Sequence, residues 1–292
     1  MRIAYLILCH QNPQLLEKIV NRVTVGTDNI AVVHVDAKVE IEPFREPFAD
    51  SERVFFIEDR YKVYWGGYNV ARATLACMEA ALKHGCDRVV VYEGMTWPLH
   101  SNEQIDEYFT KHPDTEFIRA INATRSNDRK HYMKCHGWYL SNVDVRSWNN
   151  AKSLFHHMLS IPRKLGIKYR RGYYVDPVSH RRMDVYWGWA FVSLTRKCAE
   201  YIIKTDKENA SMRRYFSHVY IPGETYIASI VFNSKFRKKT MDGRALEDGA
   251  DARGITYFEY NRGIRVFHDL EELKNVDKGQ FLYVRKVDCP LD

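Results

Sequence analysis

Glu224 follows Pro222 and Gly223 where the pattern opens a helix. Proline suits the first helical position, and the helix dipole favours an ionised carboxylate in the first turn. Beside a cleft, such a carboxylate can take the proton of an attacking hydroxyl. The same residue serves equally well as an ordinary first-turn helix stabiliser. Three further polar groups, His10, Asp36 and Glu93, each follow a short apolar run. If those runs are parallel strands, all three stand at carboxyl ends, where open α/β sheets bind ligands. There Asp36 can hydrogen-bond a ribose or a base, or simply cap a turn. His10 can face a ligand or be a satisfied structural histidine.

Phosphate chemistry is constrained by what the chain lacks. No G-x-G-x-x-G follows the first apolar run and no G-x-x-x-x-G-K-[ST] occurs, so neither glycine-rich phosphate cradle is present. There is also no D-x-D, the carboxylate pattern that commonly holds a divalent cation against a diphosphate. A bound diphosphate would then draw its countercharge from side chains such as Arg262, Arg265, Arg285 and Lys286. Each of these also reads as a solvated surface charge. Gly66 and Gly67 can admit a ligand to the backbone or make a turn. Trp65, Trp97, Trp138, Trp187 and Trp189 can stack on sugars or fill a core. The basic and aromatic stretch Arg163, Lys164, Lys168, Tyr169, Arg170, Arg171, Tyr173 and Tyr174 suits a membrane surface or a nucleic acid, but no nucleic-acid motif accompanies it.

The elements that must position these groups alternate in the first half between apolar runs and helical patterns, the mark of βαβ units and a largely parallel sheet. Strands are expected at 3–8, 30–35, 54–57, 88–92 and 116–121. Helices are expected at 13–23 and about 68–84, where Val70, Thr74, Cys77, Met78, Ala81 and Leu82 share a face and Gly85 ends the helix. Ser101 to Gln104 forms a capping box. Residues 122–183 are polar, aromatic and basic with weak periodicity, which suits an elaborated binding region. Regular structure resumes with a strand at 185–194, helices at 196–204 and from Pro222, and a strand at 280–287.

The 292 residues show no repeat and no linker, so one α/β domain over 1–292 is expected, with a nucleotide-binding half (1–121) and an acceptor and catalytic half (122–292). At 45% apolar the chain buries a sizeable core, and its formal charge of +7 suits an anionic partner. Six scattered cysteines without C-x-x-C indicate neither a zinc site nor a disulfide framework, as in a reducing compartment. The N-terminal apolar run is too short for a membrane helix. A cytoplasmic location is expected, with the inner face of the membrane as one setting.

The ordered segments Ala4 to His10, His34 to Lys38, Trp65 to Tyr68, Gly94 to Leu99, Gly188 to Arg196, Pro222 to Glu224 and Tyr283 to Asp288 together resemble the core-2/I-branching β-1,6-N-acetylglucosaminyltransferase family, which also contains peptide xylosyltransferases. The resemblance implies a GT-A type domain with a Rossmann-like, largely parallel central sheet flanked by helices. It implies inverting transfer of a sugar, N-acetylglucosamine first, from a UDP-sugar to a hydroxyl of a glycan or glycolipid, without metal or other cofactor. The family's general base falls on Glu224 and its diphosphate-binding lysine on Lys286. Its upstream phosphate-binding arginine falls on Arg262 or Arg265, and its uridine contact on Asp36, with His10 also on the donor side. Trp97 and Trp189 are the expected acceptor contacts. Two positions depart from the family: Thr96 replaces its aspartate, and Gly188-Trp189-Ala190-Phe191 replaces its G-S-x-W element. The alternatives are a xylosyl- or other hexosyltransferase of the same family, or a non-catalytic nucleotide-sugar or glycan-binding protein. No nucleic-acid partner is expected, and peripheral contact with a membrane surface is compatible with the basic stretch.

Overall fold

The computed structural model describes residues 1–144, 151–261, 263–274, 276–277 and 279–291, leaving aside the side chain of Arg163. The first half runs β1 (Ile3–Cys9), α1 (Pro13–Thr24), β2 (Ile30–Val35), the single turn α2 (Glu42–Arg45), β3 (Val54–Phe56), α3 (Asn69–Lys83), β4 (Arg88–Glu93), β5 (Thr96–Pro98) and α4 (Asn102–Lys111). It continues with β6 (Ile121–Asn122), α5 (Arg129–Tyr132), α6 (Ala151–Lys164), β7 (Tyr173–Val175), β8 (Arg182–Asp184), β9 (Tyr186–Trp187) and β10 (Ser193–Thr195). The last elements are α7 (Arg196–Glu208), α8 (Ala210–Phe216), α9 (Pro222–Phe232), β11 (Thr256–Tyr257) and β12 (Tyr283–Arg285).

The central sheet has the order β10-β4-β1-β2-β3, parallel throughout except for antiparallel β10. Because β10 comes from the second half and pairs with β4, both halves share one sheet. Alternation along the strands divides the core in two. Ala4, Leu6, Ile30, Val32, Val89 and Val91 pack with α3, α7 and α9. Ile3, Tyr5, Ile7, Ala31, Val33, Val90 and Tyr92 pack with α1 and the small sheet β11-β12-β5. Strands covered on both faces need continuous apolar runs, which is why β2 is buried at every residue.

The expected capping box at Ser101 forms in both directions, and Asn12 caps α1 ahead of Pro13. The strand expected at 54–57 ends one residue early, and three others come out much shorter. Of residues 116–121, Glu116 and Phe117 make isolated bridges to Thr240 and Ser193, and only Ile121 enters a strand, β6, bridging Leu246 as well, because the partners come from separate segments. The expected strand over 185–194 is interrupted at Gly188, whose N–H donates to the Glu224 carbonyl instead of a strand neighbour (3.0 Å). At the C-terminus, β12 spans three residues because its partners β5 and β11 are themselves that short or shorter.

One buried group makes the fold sensitive to acid. His34 lies inside the sheet at 1% exposure, and its Nε2 accepts the Tyr61 N–H at 2.9 Å. Burial lowers its pKa to about 4, against the opposing pull of Asp36 and with a smaller lowering by Arg60. The unfolded chain therefore binds this proton near pH 6.5 while the native chain refuses it until about pH 4. Stability from this group is complete above pH 6.5 and falls through that window by about 3 kcal/mol. In His34→Gln, whose amide oxygen can take the Tyr61 N–H without titrating, urea unfolding should lose this pH dependence. A wild-type minus variant difference that stays constant from pH 7 to 4 would contradict the assignment.

Candidate functional site

Glu224 reaches its position through the start of α9. The preceding Ile221 adopts φ 51°, a left-handed conformation that costs a β-branched residue about 1–3 kcal/mol, and it sits at the N-cap without a side-chain cap bond. Pro222 then fixes the first turn, and the rest of α9 from Thr225 to Phe232 is buried, anchoring it in the core. The Glu224 carboxylate does not cap its own helix. It accepts a hydrogen bond from Trp187 Nε1 at 2.5 Å and lies 3.5 Å from Lys134 Nζ. Lys134 also stands 4.6 Å over the Trp187 ring, so one indole orients both members of the ion pair.

These groups line a cavity of about 810 Å3 on the carboxyl side of β4, together with Glu93, His131, Arg285 and Lys286. Four basic side chains (Lys130, Lys134, Arg285, Lys286) and two acidic ones (Glu93, Glu224) leave it net positive. Arg285 is held by Glu93 (Nη1–Oε2 2.5 Å) and stacks 4.2 Å over Phe191. A recess of about 100 Å3, formed by Leu8 to Gln11 and Glu93 to Met95, shares Glu93, Arg285 and Lys286 with the large cavity. His10 thus stands beside Lys286, at the end of β1. Gly66, at φ +74°, turns the chain into the opposite wall, where Trp65 is half exposed.

The expected residues therefore separate into groups. Glu224, Lys286 and Trp189 line the large cavity, and His10 lines the adjoining recess. Asp36 is buried outside both linings. Its Oδ1 accepts the N–H groups of Lys38 (2.9 Å) and Val63 (3.3 Å), and its other oxygen pairs with Lys38. Arg265 is also outside, its guanidinium clamped between Glu259 (3.1 Å) and Glu272 (2.5 Å). Arg262 lies outside the described residues. Trp97 is a correction: at 3% exposure this central residue of β5 is packed in the core and presents no face to an acceptor. Trp189, packed edge-on to Phe258 (4.6 Å) and Trp187 (5.4 Å), does border the cavity, with exposed Tyr260 beside it.

Lys134 and His131 went unseen in the sequence because they lie in the segment without periodicity. His131 stacks on Trp187 at 5.0 Å, and its Nδ1 lies 3.2 Å from Asp248 Oδ1, which also accepts the Ser126 hydroxyl at 2.5 Å. That hydroxyl and the Asn127 N–H hold the Asp248 carboxyl below its ordinary range, so the ring faces an anion. A carboxylate, an imidazole, an indole and a second carboxylate thus connect Asp248 to Glu224. Among the described residues no group of three or more His, Cys, Asp or Glu side chains is arranged to hold a metal ion. No helix among them is long and apolar enough to cross a membrane.

A model of the Core-2/I-branching enzyme family matches residues 3–261. No curated protein sequence matches the chain significantly. Among solved structures it is similar to a Bacillus anthracis protein described as a glucose-1-phosphate thymidylyltransferase, at 14% identity over 73% of this chain and 78% of that one, with a TM-score of 0.31. It is also similar to a mannose-1-phosphate geranyltransferase from Thermus thermophilus, at 11% identity over 75% and 68%, with a TM-score of 0.32. Superpositions that loose carry no argument about this chain.

Proposed function

The chain belongs to the Core-2/I-branching enzyme family and is a glycosyltransferase, and from that premise we propose that it transfers N-acetylglucosamine from a UDP-sugar to a glycan hydroxyl with inversion, Glu224 acting as general base. The acceptor oxygen attacks the anomeric carbon as the bond to the UDP oxygen breaks. The hydroxyl proton passes to the Glu224 carboxylate, and the charge gathering on the leaving diphosphate is met by Lys286 and Arg285. The observation that carries this reading is that Glu224 and Lys286 border one cavity, the first fixed by the Trp187 N–H. The paired cations support a scheme in which side chains, not a divalent ion, neutralise the diphosphate. His10, in the recess beside Lys286, is proposed to touch the donor. Trp189 and Tyr260 are proposed to stack on the acceptor.

The test is a panel of nucleotide sugars, read first as thermal stabilisation and then as UDP release with glycan acceptors. UDP-N-acetylglucosamine should stabilise the protein and turn over undiminished in EDTA. Lys286→Ala should weaken UDP binding at least about tenfold, the loss of one charge-assisted contact. Turnover that requires added Mn²⁺, or UDP affinity unaltered by Lys286→Ala, would overturn the scheme.

A further inference from the structure

Helix α6 is inside out. Its protein-facing side carries Ser153, His156 and Ser160, all buried, with the Ser153 hydroxyl donating to the Asp144 carbonyl at 2.8 Å. Its outer side carries Leu154, Phe155, Met158 and Ile161, each at least half exposed, and the stripe continues through Leu165 at 69%. Positions 154, 158, 161 and 165 fall at helical spacing and form one ridge. An ordinary surface helix turns its apolar stripe to the core, so this ridge is built for something outside the chain.

Charge says what that is. From residue 145 to residue 175 the sequence has no Asp or Glu, but seven Lys or Arg. Arg170 is turned inward, donating to the His218 and Tyr215 carbonyls, whereas Lys152, Lys164, Lys168 and Arg171 are exposed. An apolar ridge with these exposed cations on its own segment fits an interface that is apolar within and anionic at its surface. A second copy of the same face fits poorly, since it would set cations against cations. At 14 residues α6 is too short to cross a bilayer and suits lying in its plane.

We propose that α6 docks this protein on an anionic lipid bilayer, with Leu154, Phe155, Met158, Ile161 and Leu165 entering the acyl boundary and the exposed cations meeting lipid phosphates. The inner side of α6 adjoins the reaction cavity: buried His156 shares a small recess with Trp65, Gly66 and Gly67, which also border the large cavity. Docking through α6 therefore holds the cavity, one helix away, close to the membrane, where on the proposed transferase reading a lipid-linked hydroxyl would be found.

Flotation of the full chain with phosphatidylcholine vesicles, with and without phosphatidylglycerol, tests the surface without reference to Glu224. Binding should require the anionic lipid and weaken as salt rises. The triple variant Phe155→Ser, Met158→Ser, Ile161→Ser should bind at least about tenfold more weakly at an unchanged melting temperature. The pair Lys152→Glu, Lys164→Glu should lose binding while keeping the ridge. Wild-type protein that stays in solution with anionic vesicles overturns the proposal, as does vesicle binding unaltered in both variants. A concentration-dependent oligomer in sedimentation that the triple variant abolishes, with no vesicle binding, assigns the ridge to protein contact instead.

Discussion

Glu224→Gln should lower kcat about a thousandfold, in the middle of the range for a lost general base, while leaving UDP affinity within about threefold. Glutamine keeps the shape of the side chain, and its amide oxygen can still accept the Trp187 Nε1 hydrogen bond now made at 2.5 Å. The start of α9 is set by Ile221, Pro222 and the buried run behind it, none of which depends on the carboxylate charge. What the substitution removes is the capacity to receive a proton and the ion pair with Lys134. Nothing at the Lys286 end of the cavity is altered, so donor binding and chemistry should separate cleanly. Steady-state kinetics and UDP titration of the same preparation decide it. Turnover within tenfold of wild type would remove Glu224 from the base role and direct attention to His131, whose ring borders the same cavity and is held by Asp248.

The parts of this protein legible in its sequence are those governed by neighbours along the chain. β1, β2 and β4 could be read because a strand covered on both faces must be apolar at successive residues. The Ser101 capping box and Pro222 at the start of α9 are local rules, and both hold. Placement of a side chain relative to distant segments is another matter. An indole at position 97 or 189 has the same chemistry, yet the packing of β5 against β12 buries the first and leaves the second at the cavity. Asp36 is claimed by the N–H of Val63, far along the chain. Lys134 and His131 acquire their roles only when Trp187 arrives from β9 to lie against both. Outside α6, residues 122–183 show weak periodicity because much of their order comes from such remote contacts, as where Ser141 and Asn142 accept the first N–H groups of α3. The inverted polarity of α6 is likewise invisible as a pattern, since periodicity reveals an apolar stripe but not which way it faces.

Gly188→Ala should destabilise the protein by about 3 kcal/mol, the upper range for forced overpacking, and lower its melting temperature by about 6 °C. A Cβ at this position would lie 2.0 Å from the Arg119 carbonyl oxygen, 3.2 Å from its carbon and 3.4 Å from Ala120 Cα. All three are main-chain atoms, so no side-chain rotation relieves the clash. That backbone is itself held, because the Ala120 carbonyl accepts from Leu246 N–H at 2.8 Å and Ile121 pairs with Trp187. The site must suffer with the fold: Gly188 N–H donates to the Glu224 carbonyl, and its neighbours are Trp187 and Trp189. Moving this peptide draws the Trp187 N–H away from the Glu224 carboxylate, so kcat should fall at least about tenfold even in the fraction that remains folded. Gly254→Ala is the matched control, since its added Cβ would meet only ordinary contacts at 3.7 Å or beyond. That variant should stay within about 0.5 kcal/mol of wild type. If both glycines tolerated alanine equally, the break in the strand at Gly188 would not arise from close approach of the backbone, and the coupling of that break to Glu224 would fail with it.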